Sequence, residues 1–312
     1  MRFRSSFGGA CRRSASPPTA AYGQVRWGAV RGLRLRNSSR RVQALIEKQR
    51  CSAIGDGSRI GSDVKSRGGL LGPDMPRKRV LVLANSHKKQ PGRCIAGVEV
   101  TAKNAPKIGQ WLRPISQDQA EGELLPQHRK VKDGAQIRPL DIVSVPVTEN
   151  AHNAAHPEDW FVTTEESWEV VATLDESTLS GLIETPGNLW LQAKKSTDRV
   201  SAEFIAASAE HQSIFLIKPT NLRLRLWREY NSWKGYTQKK LRVIFDYNGT
   251  TYDLSLTDPI ASQKYAKTFP AEDEPAIEVT LPQGDNYVLC VSLTPALNGI
   301  HYKVVATILD LP

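Results

Sequence analysis

Large or β-branched residues recur at every second position through Leu241, Val243, Phe245 and Tyr247, and again through Thr250, Tyr252, Leu254 and Leu256, with Asn248-Gly249 between them. A period of two predicts half-buried strands, and a two-residue Asn-Gly loop is the preferred type I′ hairpin turn. That turn pairs Tyr247 with Thr250, Phe245 with Tyr252, Val243 with Leu254 and Leu241 with Leu256. All four pairs fall on one face, so turn chemistry and hydrophobic register agree. Upstream, Leu222, Leu224 and Leu226 alternate with Arg223, Arg225 and Trp227. Downstream, the runs 287–293 and 300–309 are joined by a loop carrying Asn298-Gly299. In the first half, strands are expected at 78–84, 93–100, 109–115, 139–147 and 160–163, with a polar loop over 116–138.

About five strands in roughly 95 residues suffice for a small closed or half-open barrel. The pattern therefore predicts an all-β protein with a few short helices: a first barrel over 75–172, a connector over 173–212 and a second barrel over 213–312. Helix-like stretches occur only around Leu174–Ile183 and Ala202–Ala209. A single larger sandwich is the alternative.

Charge changes the picture at the N-terminus. Residues 1–74 hold 15 of the 42 Lys+Arg and 4 of the 32 Asp+Glu, leaving the body near neutral although the whole chain carries +10. This Arg-, Ser- and Gly-rich stretch has no apolar period and is expected to be disordered. It reads as sequence upstream of a start at Met75, as a transit peptide, or as a basic arm for a polyanion. No 18-residue apolar run and no secretory core are present, so a soluble, cytoplasmic protein without a membrane partner is expected. Cys11, Cys51, Cys94 and Cys290 form no Cys-x-x-Cys, which argues against structural zinc and for reduced thiols.

Within the body, Lys218 to Arg242 is basic and aromatic, whereas 253–285 is acidic. Cations track phosphates and rings stack bases. Arg223, Arg225, Trp227, Trp233, Lys234, Tyr236 and Arg242 are thus candidate nucleic-acid contacts. Alternatively, the arginines pair with the acidic segment across a solvated sheet face.

The first half carries VLVLANSHKKQPGRCIAG, GQWLRPIS, PLDIVSVPV and HPEDW; the second carries LIKPTNLRLRL, RVIFDYNGTTYDLSLTDP, YVLCVSL and HYKVVATIL. In these blocks, spanning 77–309, the chain resembles the dual OB-fold domain proteins of prokaryotes. The resemblance implies two tandem OB-type barrels that recognise nucleic acid or a nucleotide-like ligand, in defence against foreign genetic elements. Carried onto this chain, the recognition residues are Ser86, Lys88, Arg93, Trp111, Arg113, His156 and Glu158. Lys88 and Arg93 flank the Pro91-Gly92 turn and would present cations to an anion. Trp111 could stack a base, and Arg113 could fork onto a phosphate or carboxylate. Arg113 could equally bridge Glu158 or Asp159 and pin the barrel.

Catalytic signals are weak. His152 and His156 are four apart, but Pro157 disfavours a helix through them and no His-Glu-x-x-His exists. No phosphate loop, dinucleotide fingerprint or nucleophile elbow occurs. The expectation is a non-enzymatic binding module with no cofactor and no metal. A protein-interaction scaffold, or a hydrolase or nuclease acting through His156 and Glu158, are the alternatives.

Overall fold

The computed structural model describes residues 75–312 apart from 89, 104, 209–211, 283 and 285. Residues 1–74, with Cys11 and Cys51, lie outside the described residues, as do the expectations about them.

Strands β1 (Arg77–His87), β2 (Arg93–Lys103), β3 (Ala105–Ile115), β4 (Asp141–Asn150) and β5 (Asp159–Val162) pair in the order β1-β2-β3-β5-β4, and β4 returns to β1. They form a closed five-stranded barrel, with β6 (Glu169–Thr173) added along β4. All pairs are antiparallel except β3 with β5, which sets Arg113 opposite Asp159. Val80 and Val82 fill the barrel with Ile95, Leu112, Val143 and Trp168. Leu81 and Leu83, pointing the other way, join a second cluster with Leu216, Val288 and Cys290 of the other half. Strand β1 reads Val-Leu-Val-Leu because both of its faces are buried.

The second sheet runs β12 (Ile277–Thr280), β9 (Thr220–Asn231), β10 (Tyr236–Tyr247), β11 (Thr250–Leu256), β14 (Ile300–Asp310), β13 (Tyr287–Leu293) and β8 (Ile214–Ile217), with β7 (Arg199–Ser201) on β14. Its β9-β10-β11-β14-β13 core repeats the order of the first barrel, including the parallel third-to-fifth pair, β11 with β14. Strands β9 and β13 take β12 and β8 as neighbours, so this sheet is half-open. The hairpin forms as expected: Tyr247–Thr250, Phe245–Tyr252 and Val243–Leu254 pair, and Asn248 and Gly249 have φ of 47° and 75°. All seven residues of β13 are buried, alternate ones facing the two halves. The connector supplies Leu174 and Leu179 to the shared cluster, and Leu189 and Val200 to the second core.

Lys303 is a charged exception in that second core. It is 1% exposed, its ammonium lies 5.8 Å from the Tyr252 ring, and Nζ has no hydrogen-bond partner among the described residues. Burial pushes its pKa down to about 8, with Asp198 pulling the other way. Between pH 8 and the ordinary value of 10.5 the unfolded chain binds more protons, so stability rises with pH through that window. Lys303→Met is expected to add about 2 kcal/mol at pH 7 and to remove that rise. Urea unfolding at pH 7 and pH 10 checks both.

Candidate ligand-binding cavity

The end of β1, the start of β2, the end of β3 and the β4–β5 loop converge on one side of the first barrel. There β13 and β14 of the second half lie over them and leave a cavity of about 270 Å³. This is just below the usual range of small-ligand sites, ~300–1,000 Å³.

The parallel β3–β5 pair builds one wall. Arg113 N donates to Glu158 O at 2.8 Å, and Arg113 Nε donates to Asp159 Oδ1 at 2.6 Å. Arg113 Nη2 lies 3.9 Å from Glu158 Oε1. All three side chains are buried. Burial alone would push the guanidinium down, but the two carboxylates outweigh it and hold Arg113 charged.

Glu158 leads away from Arg113 into the second half. Its Oε1 accepts from the Ser213 hydroxyl, and Ser213 Oγ lies 2.7 Å from His156 Nδ1. Ser213 Oγ thus bridges the Glu158 carboxyl and the His156 ring. His156 lines the cavity, is 2% exposed, and its Nε2 has no hydrogen-bond partner among the described residues. Burial, then Arg113, then His301 lower its pKa to about 2, so the ring is neutral. His301 stands edge-on to it at 5.5 Å.

On the facing wall, Lys88 Nζ donates to the Glu121 carbonyl, and burial lowers its pKa. Ser86 donates to Cys94 O at 3.4 Å. Cys94 from the first half and Cys290 from the second both line the cavity, and burial pushes the Cys290 thiol up.

Of the seven recognition residues expected in this half, Ser86, Lys88, Arg113 and His156 meet at the cavity. Glu158 stands one step behind, through Ser213. Arg93 turns to the opposite side of the β1–β2 hairpin. Trp111 is no open stacking platform: its indole N–H donates at 3.0 Å to Glu184, which also accepts from Leu216 N and Gln212 Nε2. Ser213 was not expected. It has no local motif and meets His156 from 57 positions away.

The basic face of the second half is largely neutralised. Arg223 pairs with Glu278 at 3.2 Å, Arg225 with Asp253, and Arg242 with Asp253 at 2.5 Å and Asp198 at 3.3 Å. Strand β12 lies along β9 at positions 223–226, and Trp227 takes the Arg225 guanidinium at 5.4 Å. These four residues therefore form an ion-paired sheet face rather than an open cationic wall. Beyond it the β9–β10 tip is bare, with Trp233 98% exposed beside exposed Lys234 and Tyr236. Among the described residues no cluster of three His, Cys, Asp or Glu could hold a metal ion.

A family model described as the dual OB-containing domain matches residues 78–308. No curated protein matches the chain.

Proposed function

The chain belongs to the dual OB-containing domain family, and from that premise we propose that it binds a compact nucleotide-like ligand in the cavity between its two halves, without chemical turnover. Defence against foreign genetic elements is the context suggested by the family resemblance. One observation carries the reading: His156, which lines the cavity, keeps a buried ring nitrogen, Nε2, with no hydrogen-bond partner among the described residues. An unpaired buried ring nitrogen costs about 1–3 kcal/mol, and a polar group of a ligand would recover it. Nucleobases present both donors and acceptors on their edges. Lys88 and Arg113 stand in the same lining, each beside acids of its own: Glu121 for Lys88, Asp159 and Glu158 for Arg113. The loop between the fourth and fifth strands, which holds His156, is a usual contact region of OB barrels. Among the described residues no helix is long and apolar enough to cross a membrane.

Calorimetric titration with nucleosides, mononucleotides and dinucleotides tests the proposal. His156→Leu removes the ring nitrogens at similar bulk and is expected to weaken the ligand that binds by about tenfold. Unchanged affinity in that variant would sink it.

A second reading rests on Trp233, Lys234 and Tyr236 at the exposed hairpin tip. Base stacking on a ring contributes about 1–3 kcal/mol. Trp233→Ala is expected to weaken single-stranded DNA binding by about tenfold if the tip is a contact, read as quenching of tryptophan emission by a dT12 oligonucleotide.

A further inference from the structure

On the other side of the β1–β2 hairpin the first barrel opens into a cleft of about 520 Å³. Strand alternation separates the two spaces: Cys94 and Ala96 face the cavity, Arg93 and Ile95 the cleft. Its floor is Ile95, Val131 and Ile137 of the barrel core. Its remaining charged lining is Arg129, Lys130 and Lys132 from the β3–β4 connection. An isolated bridge between Arg93 and Leu124 brings that connection alongside β2. Among the described residues no carboxylate lines the cleft, and Asp133, although next in the chain, is not part of it.

Several arginines on this protein meet acids, as Arg77 does with Glu166 and Arg223 with Glu278. Arg93 and Arg129 rest on neutral acceptors instead: Arg93 Nη1 on His87 Nδ1 at 2.7 Å, and Arg129 Nε on Leu124 O at 3.4 Å. Burial pushes both guanidinium groups down, and Arg93 pushes Arg129 further. Like charges held close, partly desolvated and without a counter-charge are costly unless an anion joins them. Two planar forks flanked by two exposed ammonium groups suit phosphate oxygens.

We propose that the mouth of the first barrel is an anion site in which Arg93, Arg129, Lys130 and Lys132 bind phosphate groups, from a free oligophosphate or from a nucleic-acid backbone. The site is separate from the cavity and does not rest on the cavity having a ligand. Arg93 joins the two spaces, because the His87 to which it donates lines the cavity.

The test is anisotropy of fluorescein-labelled dT12 on the full chain over 50–300 mM KCl, with tripolyphosphate as competitor. Arg93→Gln/Arg129→Gln is compared with Lys264→Gln/Lys267→Gln, which removes the same charge from exposed positions. Residues 1–74 contribute equally in all three proteins. The cleft variant is expected to bind at least tenfold more weakly, with its log–log salt slope reduced by about 1.4. The control is expected to change less than twofold. Displacement of dT12 by micromolar tripolyphosphate identifies an oligophosphate site; resistance to it identifies a backbone site. Equal weakening of the two variants, no weakening of either, or no binding of either probe would overturn the proposal. If the arginine variant unfolds, Lys130→Gln/Lys132→Gln, whose side chains are exposed, removes two charges as well and carries the same expectation. The cavity reading is decided separately by the His156 comparison.

Discussion

Replacing Arg113 by methionine is expected to cost about 3–5 kcal/mol of folding stability at neutral pH. The guanidinium is 4% exposed and answers two buried carboxylates, Asp159 at 2.6 Å and Glu158 at 3.9 Å. Methionine fills much of the same space, so the loss comes from charge: two adjacent carboxylates remain buried without a cation. Glu158 Oε2 already has no hydrogen-bond partner. Burial pushes the Glu158 carboxyl above its ordinary value even with Arg113 opposing it, and without Arg113 the group binds a proton more readily. The folded variant then binds more protons than its unfolded chain, so its stability rises as pH falls. The deficit against wild type should therefore shrink between pH 7 and pH 5. Arg113→Met/Asp159→Leu, which removes the closest opposing charge as well, should recover a large part of the loss, since well-packed apolar groups often replace a buried ion pair without penalty. Urea unfolding at both pH values measures all of this. A loss below 1 kcal/mol would mean that Arg113 is free to serve a ligand instead of acting as a strut.

That strut was visible in the sequence as one of two roles for Arg113, because His-Pro-Glu-Asp-Trp offered acids to a nearby strand. The hairpin at Asn248-Gly249 was visible too, since turn type and alternation depend only on neighbours in the chain. So was the neutralisation of Arg223, Arg225 and Arg242, posed as an alternative by an acidic segment following a basic one. What local pattern could not supply was partnership over long separations. Trp111 looks like a stacking ring until Glu184, 73 positions on, takes its N–H. Ser213, which orients His156, is an ordinary serine in a connector. Arg129, Lys130 and Lys132 sit in a stretch with no period, so nothing nearby marks them as the wall of a cleft with Arg93. Cys94 and Cys290 read as core residues in apolar runs, and only the packing of one half on the other brings both to one cavity.

Gly97→Ala is expected to cost about 3 kcal/mol or more, at or above the top of the usual range for overpacking. A methyl group on Gly97 would stand 1.9 Å from Leu81 O, 2.7 Å from Leu81 C and 3.0 Å from a Val80 methyl. The nearest obstacle is backbone, which no rotamer change can clear. Gly97 pairs with Val82 where the β1–β2 register shifts, so strand β1 crowds against it. Strand β1 cannot simply retreat: Val80 and Val82 are packed in the barrel and Leu81 and Leu83 in the layer between the halves. Moving it by the ångström or so required would disturb both cores and the hairpin end that carries Ser86 and Lys88. Gly109→Ala is the comparison, because there the nearest atom is Glu99 O at 3.1 Å and a few tenths of an ångström would suffice. Its cost should stay within about 1 kcal/mol. Urea unfolding gives the two losses, and near-ultraviolet circular dichroism shows whether Gly97→Ala also loosens aromatic packing. Equal losses at the two positions would mean that β1 is free to shift. A cavity bounded by such a mobile strand could not hold His156 Nε2 and Lys88 at a fixed separation.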